Sequence, residues 1–321
     1  MPITGAVFVL LLFTLHLDSP RTPFLKGIKA IDWSGSFLLI GGTVMLLLGL
    51  TFGGVMHPWD SAIVVCLIVF GVITLALFLS NEWKIASHAI IPLRLFRNRS
   101  NIACFAMCFC HGYVFVAVAY YLPLYFQAVL GAGPLLSGVY LLPYVLSISI
   151  VAAMTGVYIQ QTGKYILTVY IGLPITILGI GLLVDIDVHV DWAKLVTFQI
   201  IAGTGIGMNF EAPLLAMQAA IDVKDMATGT ATFGFFRTLS TAVSVVIGGV
   251  VFQNQMANQA PELAASIGPE LAGELSGGDA AASIGLIDTL SPSQKVVVQQ
   301  ALNRSLRDMW IMVSLHLTRI R

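Results

Sequence analysis

Long apolar runs separated by short polar stretches dominate this chain of 321 residues. With its flanks, each of the longer runs approaches the roughly 20 residues that an α-helix needs to cross a bilayer. The alternation over roughly ten residues that marks a transmembrane β-strand does not occur in them. The pattern therefore predicts an all-α, polytopic membrane protein. The eight runs are residues 3–17, 37–50, 61–79, 101–126, 138–159, 167–184, 192–221 and 226–252.

The two ends of the chain differ from its middle. Residues 1–17 are apolar but short, and we interpret them as a partial transmembrane helix. A signal peptide is the alternative, although no basic residue precedes the run and no small-residue cleavage site follows it. Residues 253–308 are polar and rich in Ala, Gly and Ser, which predicts a loop with short amphipathic helices. Residues 309–321 begin a ninth apolar stretch that is too short to span, so we expect a chain truncated at both ends.

Lysine and arginine are distributed unevenly between alternate loops. Cytosolic loops of membrane proteins carry an excess of both residues, so the more basic set indicates the cytosolic side. We therefore expect residues 81–100 to form a cytosolic loop and residues 253–308 an extracytoplasmic one. The opposite short loops hold only Lys194. The basic set holds Arg21, Lys26, Lys29, Lys84, Arg94, Arg97, Arg99, Lys164 and Lys224.

Composition supports the membrane assignment and excludes several functions. Hydrophobic residues make up 57% of the chain and charged residues 10%, whereas a soluble domain carries about a quarter charged residues. Net charge is zero, and no basic patch indicates nucleic acid. All four cysteines lie in apolar runs, so a disulfide framework is not expected. No nucleophile–His–acid set or phosphate loop indicates an enzyme, a cofactor or the use of ATP.

Residues 120–143 form a polar corner between two apolar runs and contain several helix breakers. Pro123 and Pro143 fall inside the runs. Such breaks persist in a membrane only where protein or a water-filled cavity satisfies the freed backbone groups. We predict a hairpin that borders a path through the membrane. Further helix-break or gating candidates are Gly203, Gly207 and Pro213, although the two glycines also fit close helix packing.

Glu211 and Arg237 are oppositely charged residues inside adjacent predicted spans. At a rise of 1.5 Å per residue, each lies about 9 to 10 Å inside the hydrocarbon core. Because buried charges are costly, we predict that they form an ion pair or share a water-filled cavity. Their function would be proton coupling or contact with an anionic substrate. The alternatives are a structural ion pair, or an Arg237 side chain that reaches the cytosolic headgroups.

His111 lies in the middle of the fourth run, where a histidine can relay protons. The alternative is a neutral histidine bonded to a neighbouring helix. Three cysteines nearby suggest a metal, but only two of them share a helix face, the third and His111 point elsewhere, and burial disfavours their thiolates. We therefore expect no metal site. The cysteines are Cys104, Cys108 and Cys110.

Aromatic and amide side chains in the spans suit a bulky, weakly polar ligand. Helix packing or a membrane-interface belt is the alternative for each of them. Asn303 begins an Asn-Arg-Ser sequon on the predicted outer side, which predicts glycosylation. The candidates for lining a substrate path are Tyr113, Tyr120, Gln127, Gln199, Asn209, Phe233 and Phe236.

One long segment, LPLYFQAVLGAGPLLSGVYLLP, resembles the corresponding hairpin of the 14-helix drug:proton antiporters of the major facilitator superfamily, fungal members especially. The resemblance covers the chain to about Trp310. Residues 156–164, GVYIQQTGK, depart from the family pattern, because Gln160 and Gln161 replace an acid and a base. Further similar segments are HLDSPRTP, IDWSGSFLLIGGTVMLLLGLTFGG, IIPLRLFRNRSN, FQIIAGTGIGMNF and TGTATFGFFRTLS.

The resemblance implies an assignment for each part of the chain. Residues 1–17 correspond to the sixth family helix, residues 33–80 to the linker helix pair and residues 101–252 to five helices of the C-terminal half. Residues 309–321 correspond to a truncated final helix. The N-terminal half is then missing, and a complete cavity would need it. Related sequences more often have an amide near Glu211.

The resemblance also implies a function. We expect efflux of a bulky organic compound, such as a drug, toxin or fungal secondary metabolite. Transport would proceed by alternating access and be driven by proton antiport. Its partners would be the cargo, protons and the bilayer. The alternatives are an inactive or partner-dependent fragment, and a siderophore or amino acid as cargo. The plasma membrane is the expected location, with the vacuolar membrane second.

Overall fold

The structure, a computed structural model, describes residues 2–14, 31–54, 56–84, 89–277, 284–287 and 290–318. These ranges form helices and connecting turns, with an isolated bridge between Gly53 and His57 as their sole β-type pairing. The helices are α1 Pro2–Thr14, α2 Trp33–Phe52, α3 Ala62–Lys84, α4 Arg99–Leu124, α5 Pro134–Tyr140, α6 Leu142–Thr162, α7 Tyr165–Leu183, α8 Trp192–Met208, α9 Ala212–Ala220, α10 Met226–Ile267, α11 Pro269–Gly277, α12 Ile284–Ile287 and α13 Pro292–Thr318.

Seven helical stretches within the described ranges are long and apolar enough to cross a membrane. This confirms the predicted all-α, polytopic class. They correspond to the second through eighth apolar runs, whereas α1 has only 13 residues. The seven are Trp33–Phe52, Ala62–Lys84, Arg99–Val129, Leu142–Thr162, Tyr165–Leu183, Trp192–Ala220 and Val223–Ile267.

The helices pack in a few close pairs. Helix α2 pairs with α3, and this pair contacts the remaining bundle chiefly through α10. Helix α4 packs along α10, and α8 packs between α6 and α7. Small residues permit these approaches: a Cβ added at Gly179 would lie 2.4 Å from the Ala202 backbone. Such close backbone contact is a common basis of helix association in membranes.

The two ends of the bundle carry opposite charge. One end, which we call the basic end, holds Lys84, Arg94, Lys164 and Lys224. There a 3₁₀ helix, Leu93–Arg97, places both Arg94 Nη2 and Nε on the Asp225 carboxylate, at 2.6 and 3.2 Å. The other end, which we call the acidic end, carries Asp185, Asp187 and Asp191 in the α7–α8 turn. There the hydrogen bond and charge of Lys194 lower the pKa of Asp185.

The prolines of residues 120–143 act differently from one another. Pro123 lies inside α4, and the helix continues beyond it into a π-helical turn, Tyr125–Val129. π-Turns and prolines are common causes of a helix irregularity. The sequence suggested that Pro143 interrupts a span. It lies instead in the first turn of α6. Its missing N–H has no helical partner at that position, so it favours the helix start.

Residues 253–308 differ from the predicted loop with short helices. Helix α10 continues without a break to Ile267, and α13 already begins at Pro292. The cause is a set of apolar residues at helical spacing, including Met256, Leu263 and Leu302, which are buried between the two helices. A few apolar residues at helical spacing are enough to form an amphipathic helix pair, although the segment is polar on average.

Candidate functional site at the break between α8 and α9

Three residues, Asn209, Phe210 and Glu211, separate α8 from α9. The sequence indicated Gly203 and Gly207 as helix-break candidates. Helix α8 passes through both without interruption, so the break does not lie at these glycines. A Cβ added at either position would lie within 2.8 Å of a carbonyl oxygen on α6, which explains both glycines as packing contacts. Pro213 lies in the first turn of α9, where it favours a new helix start.

The break exposes a backbone acceptor that Arg237 uses. Arg237 Nη2 donates a hydrogen bond of 2.5 Å to the carbonyl oxygen of Phe210. The guanidinium carbon lies 4.7 Å from the ring centroid of Phe210 and 5.4 Å from that of Phe233. A charge-assisted hydrogen bond and two cation–π contacts offset the desolvation of a charge inside a span.

Glu211 does not form the predicted direct ion pair with Arg237. No Glu211–Arg237 contact within 4.0 Å occurs in the described part of the chain, and the guanidinium is bonded to the preceding residue instead. Both side chains are half-buried. The carboxylate and the guanidinium therefore lie on either side of the peptide unit between Phe210 and Glu211. The alternative form of the hypothesis, that the two groups share a water-filled cavity, stays a prediction.

His111 contacts the same break from α4. Its Nε2 lies 2.9 Å from the Ile206 carbonyl oxygen, and since a carbonyl can only accept, Nε2 carries the proton. The ring meets Phe210 edge-on at 5.6 Å, and the side chain is buried. This geometry is that of a histidine bonded to a neighbouring helix. It also places His111 and Arg237 on two sides of the Phe210 ring, in what we call the Phe210 cluster.

Two buried amides, Gln199 inside α8 and Asn209 at its C-terminal end, lie on the helix that leads to this cluster. Gln199 is 1% exposed, and neither its Nε2 nor its Oε1 has a hydrogen-bond partner among the residues that the structure describes. It lies seven residues before Ile206, which places both on one face of α8. Asn209 Nδ2 donates to the Gly205 carbonyl at 3.1 Å, but its Oδ1 has no partner. An unsatisfied buried polar group costs about 1–3 kcal/mol, so both amides indicate a position that water or a ligand completes.

The remaining path candidates make their contacts outside the α8–α9 break. Phe236 packs with Phe96 and Phe105, at centroid distances of 6.1 and 5.4 Å. This apolar group adjoins the Phe210 cluster through Phe233, whose ring lies 6.4 Å from that of Phe105. Tyr113 is buried and donates to Met312 Sδ.

Two further candidates lie towards the acidic end. Gln127 bonds Ser137 across the hairpin at 3.4 Å, whereas Tyr120 is 46% exposed. The structure thus brings together His111, Asn209, Glu211, Phe233 and Arg237. Phe210, which joins them, carries no ionisable group and is not among the sequence-predicted site residues.

Asn303 is placed unfavourably for the predicted glycan. It lies inside α13, and its Nδ2 donates to the Ile186 carbonyl at 3.2 Å. Ser305 of the same sequon is fully buried and bonded to Ala301. Glycosylation stays a prediction, and it would require this part of the helix to open.

In the described residues, no group of three or more His, Cys, Asp and Glu side chains could hold a metal ion. Cys108 instead donates its thiol to the Phe233 carbonyl at 3.5 Å. Cys108 therefore contributes to the packing of α4 against α10 beside the Phe210 cluster.

Comparison of the chain with known proteins identifies its family. The profile of the Major Facilitator Superfamily matches residues 4–245. The chain is 49% identical over 312 residues to "Efflux pump dotC" of Dothistroma septosporum, covering 97% of this chain and 53% of that protein. It is 48% identical over 312 residues to "MFS-type transporter ppz2" of Metarhizium majus, again covering 97% of this chain and 54% of the relative.

A more distant relative is the "Acurin A biosynthesis cluster MFS-type transporter" of Aspergillus aculeatus, 32% identical over 319 residues, with 97% of this chain and 56% of that protein covered. The chain spans about half the length of these curated relatives. The matched profile and these identities lead to one conclusion: the chain belongs to the Major Facilitator Superfamily, whose members are membrane transporters and not enzymes.

Proposed function

We propose that this chain forms one half of an efflux transporter that exports a bulky organic compound in exchange for protons. The family and the names of its relatives support export. The observation that carries the proposal is the Phe210 cluster, where a helix break places Arg237 on a freed carbonyl beside Glu211. Transporters commonly place their sites at interrupted helices near the membrane midplane.

In this proposal Glu211 is the proton carrier and Arg237 responds to its charge. In the structure Arg237 bonds the Phe210 carbonyl, and we assign this arrangement to the protonated form of Glu211. When Glu211 loses its proton, its carboxylate competes for the guanidinium, because an ionised acceptor forms the stronger hydrogen bond. A moved Arg237 would release the Phe210 ring and loosen the contact with His111. Proton release would then be coupled to a change of the α8–α9 break.

The cargo of the proposed transporter is bulky and weakly polar. Gln199 has a donor and an acceptor without partners in the described part of the chain, and the Phe210 and Phe233 rings, which now contact Arg237, would become accessible when it moves. Drugs, toxins and fungal secondary metabolites combine such groups. A siderophore or an amino acid is the alternative cargo, and the scarcity of acids in the spans disfavours a cationic one.

The arrangement of the whole transporter belongs to the same proposal. We propose the 14-helix type, in which α1 is part of the sixth helix, α2 and α3 are the linker pair and α4 to α10 belong to the C-terminal half. An N-terminal half outside this chain would supply the opposite wall of the cavity. The basic end faces the cytosol by the positive-inside rule. The plasma membrane is the proposed location, with the vacuolar membrane second.

Efflux of Nile red, a neutral aromatic dye, tests this proposal in yeast cells. One strain expresses the chain alone, and another adds the N-terminal half of the Dothistroma pump. We expect efflux only with both halves, and we expect an uncoupler to abolish it. Efflux that is unchanged by the uncoupler would exclude proton antiport. No efflux in either strain would favour the inactive-fragment alternative.

The role of Glu211 is tested in the active strain. Glu211→Gln removes the titrating group but keeps its shape, so we expect efflux to lose its dependence on external pH. Glu262→Gln is the matched control, because Glu262 is exposed and pairs with Arg304 at 3.3 Å on the surface. An unchanged pH profile in Glu211→Gln would exclude Glu211 as the proton carrier.

A further inference from the structure

A cavity of about 300 Å³ lies between α2, α4 and α10, away from the Phe210 cluster. We call it the linker cavity, because α2 provides one wall through Thr51. Its lining on α10 begins at Val245, eight residues beyond Arg237 and therefore about 12 Å along the helix axis. The volume lies at the lower end of the range for small-molecule sites.

Two neighbouring glycines of α10 create this space in different ways. Gly248 accommodates the ring of Tyr121, since a Cβ there would lie 2.5 Å from the Tyr121 ring. Tyr121 is thereby held in the wall, with its hydroxyl donating to the Val245 carbonyl at 2.7 Å. At Gly249 an added Cβ would meet only the Tyr121 hydroxyl, at 3.6 Å. The volume beside Gly249 is thus open and can receive a larger group.

The linker cavity contains hydrogen-bonding groups that the protein leaves unused. Tyr120 lies edge-on to Tyr121 at 5.1 Å, is 46% exposed and has no hydrogen bond from its hydroxyl among the described residues. The amide of Gln253 is half-buried and likewise without a partner in the described chain. An aromatic face with two free polar groups suits a planar ligand with a carbonyl or hydroxyl. A phospholipid acyl chain would leave both polar groups unsatisfied.

We propose that the linker cavity is a second binding site for the exported compound, occupied by a planar aromatic molecule that stacks on Tyr120 and bonds its hydroxyl and the Gln253 amide. This inference rests on the proposed function, which supplies an aromatic cargo. With the basic end in the cytosol, the cavity lies between the Phe210 cluster and the outer side, where the cargo would bind before release. It gives α2, through Thr51, a role in binding.

Photolabelling of the full chain in phosphatidylcholine nanodiscs tests the site directly. The probe is 4-hydroxybenzophenone, an aromatic ketone with a hydroxyl, and labelled peptides are identified by mass spectrometry. We expect label in the segments around Tyr120 and Gly249. Gly249→Leu fills the cavity, and we expect it to reduce this label about tenfold, the effect of losing roughly 1.4 kcal/mol of binding free energy.

A matched control and a second variant keep the result interpretable. Gly181→Leu adds the same side chain on α7, where nothing lies within 4 Å of the added Cβ, and we expect unchanged labelling. The double variant Tyr120→Phe with Gln253→Leu keeps the cavity but removes its polar groups, and we expect it to lower the label by a similar factor. Each variant is first shown to be monodisperse by size-exclusion chromatography.

Two outcomes would overturn the proposal. Equal labelling of Gly249→Leu and the parent chain would show that the probe does not occupy the cavity. Displacement of the probe by equimolar ergosterol, with a bound sterol in native mass spectrometry, would assign the cavity to a membrane lipid. Because the assay measures binding without transport, its failure is distinguishable from a failure of proton-coupled efflux.

Discussion

Arg237 donates to the backbone carbonyl of Phe210, although Glu211, a carboxylic acid, is the next residue along the chain. The interaction depends on a helix break and two aromatic rings, so the position requires more than a positive charge. An arginine can bond the carbonyl and stack on the rings at the same time, because its guanidinium is planar.

The first prediction concerns this planar group. We expect Arg237→Lys to lower the free energy of unfolding by about 1–2 kcal/mol, since lysine keeps the charge but loses the stacked geometry. Thermal unfolding in detergent measures the effect. Arg304→Lys changes an exposed residue and should leave the transition unchanged. Equal midpoints for the two variants would show that charge alone suffices at position 237.

The second prediction separates stability from transport at Gln199. Both amide atoms lack partners in a buried position, so Gln199→Met should raise the free energy of unfolding by about 1–3 kcal/mol and reduce efflux. Gln259→Met is the matched control. The two N–H donors of the Gln259 amide face three acceptors, on Gln255, Ala301 and Ser305, although its Oε1 has no partner among the described residues. The same substitution removes these bonds and should destabilise. A loss of stability in Gln199→Met would indicate that the amide is satisfied, for instance by buried water.

The third prediction uses two glycines of α7 that lie two residues apart. A Cβ at Gly179 would meet the backbone of Ala202, whereas nothing lies within 4 Å of one at Gly181. We expect Gly179→Ala to separate α7 from α8 and lower the free energy of unfolding by about 1–3 kcal/mol. Gly181→Ala should be neutral or slightly stabilising. Thermal unfolding of the two variants in the same detergent measures the effect. Equal unfolding midpoints would contradict the close packing of α7 against α8.

The fourth prediction concerns an asymmetric ion pair at the basic end. The side chain of Arg94 is 65% exposed, whereas that of Asp225 is 9% exposed. Arg94→Ala leaves a buried carboxylate unpaired and should destabilise more than Asp225→Asn, which leaves an arginine in water. The double variant should recover part of the loss. Lys224→Ala, in an exposed pair with Asp222, is the control. Equal effects of the two single substitutions would show that Asp225 is solvated.

Periodicity and hydropathy were sufficient for the fold class, because span length and apolar content follow from the thickness of a bilayer. They were insufficient for residues 253–308, where apolar residues such as Met256 and Leu263 occur at helical spacing in a polar segment. The structure there depends on packing between distant parts of the chain, α10 and α13.

The candidate site could be predicted only in part from the sequence. Charges in apolar runs indicated Glu211 and Arg237, and a proline indicated the nearby break. The partner of Arg237 could not be predicted, because it is a backbone carbonyl that any residue would supply. The Gly203 and Gly207 positions were ambiguous for a similar reason: a glycine that permits packing and one that permits a bend look alike until the neighbouring helix is known.

The length of α10 has a mechanical consequence. Its 42 residues extend over about 63 Å, roughly twice the hydrocarbon thickness of a bilayer. The far part, braced by α13, therefore projects as a lever from the membrane. A tilt of about 10° around the Arg237 level would displace its tip by several ångströms, since the arm beyond Arg237 is about 45 Å long. Small rearrangements at the centre would thus be amplified into movements detectable from outside the bilayer.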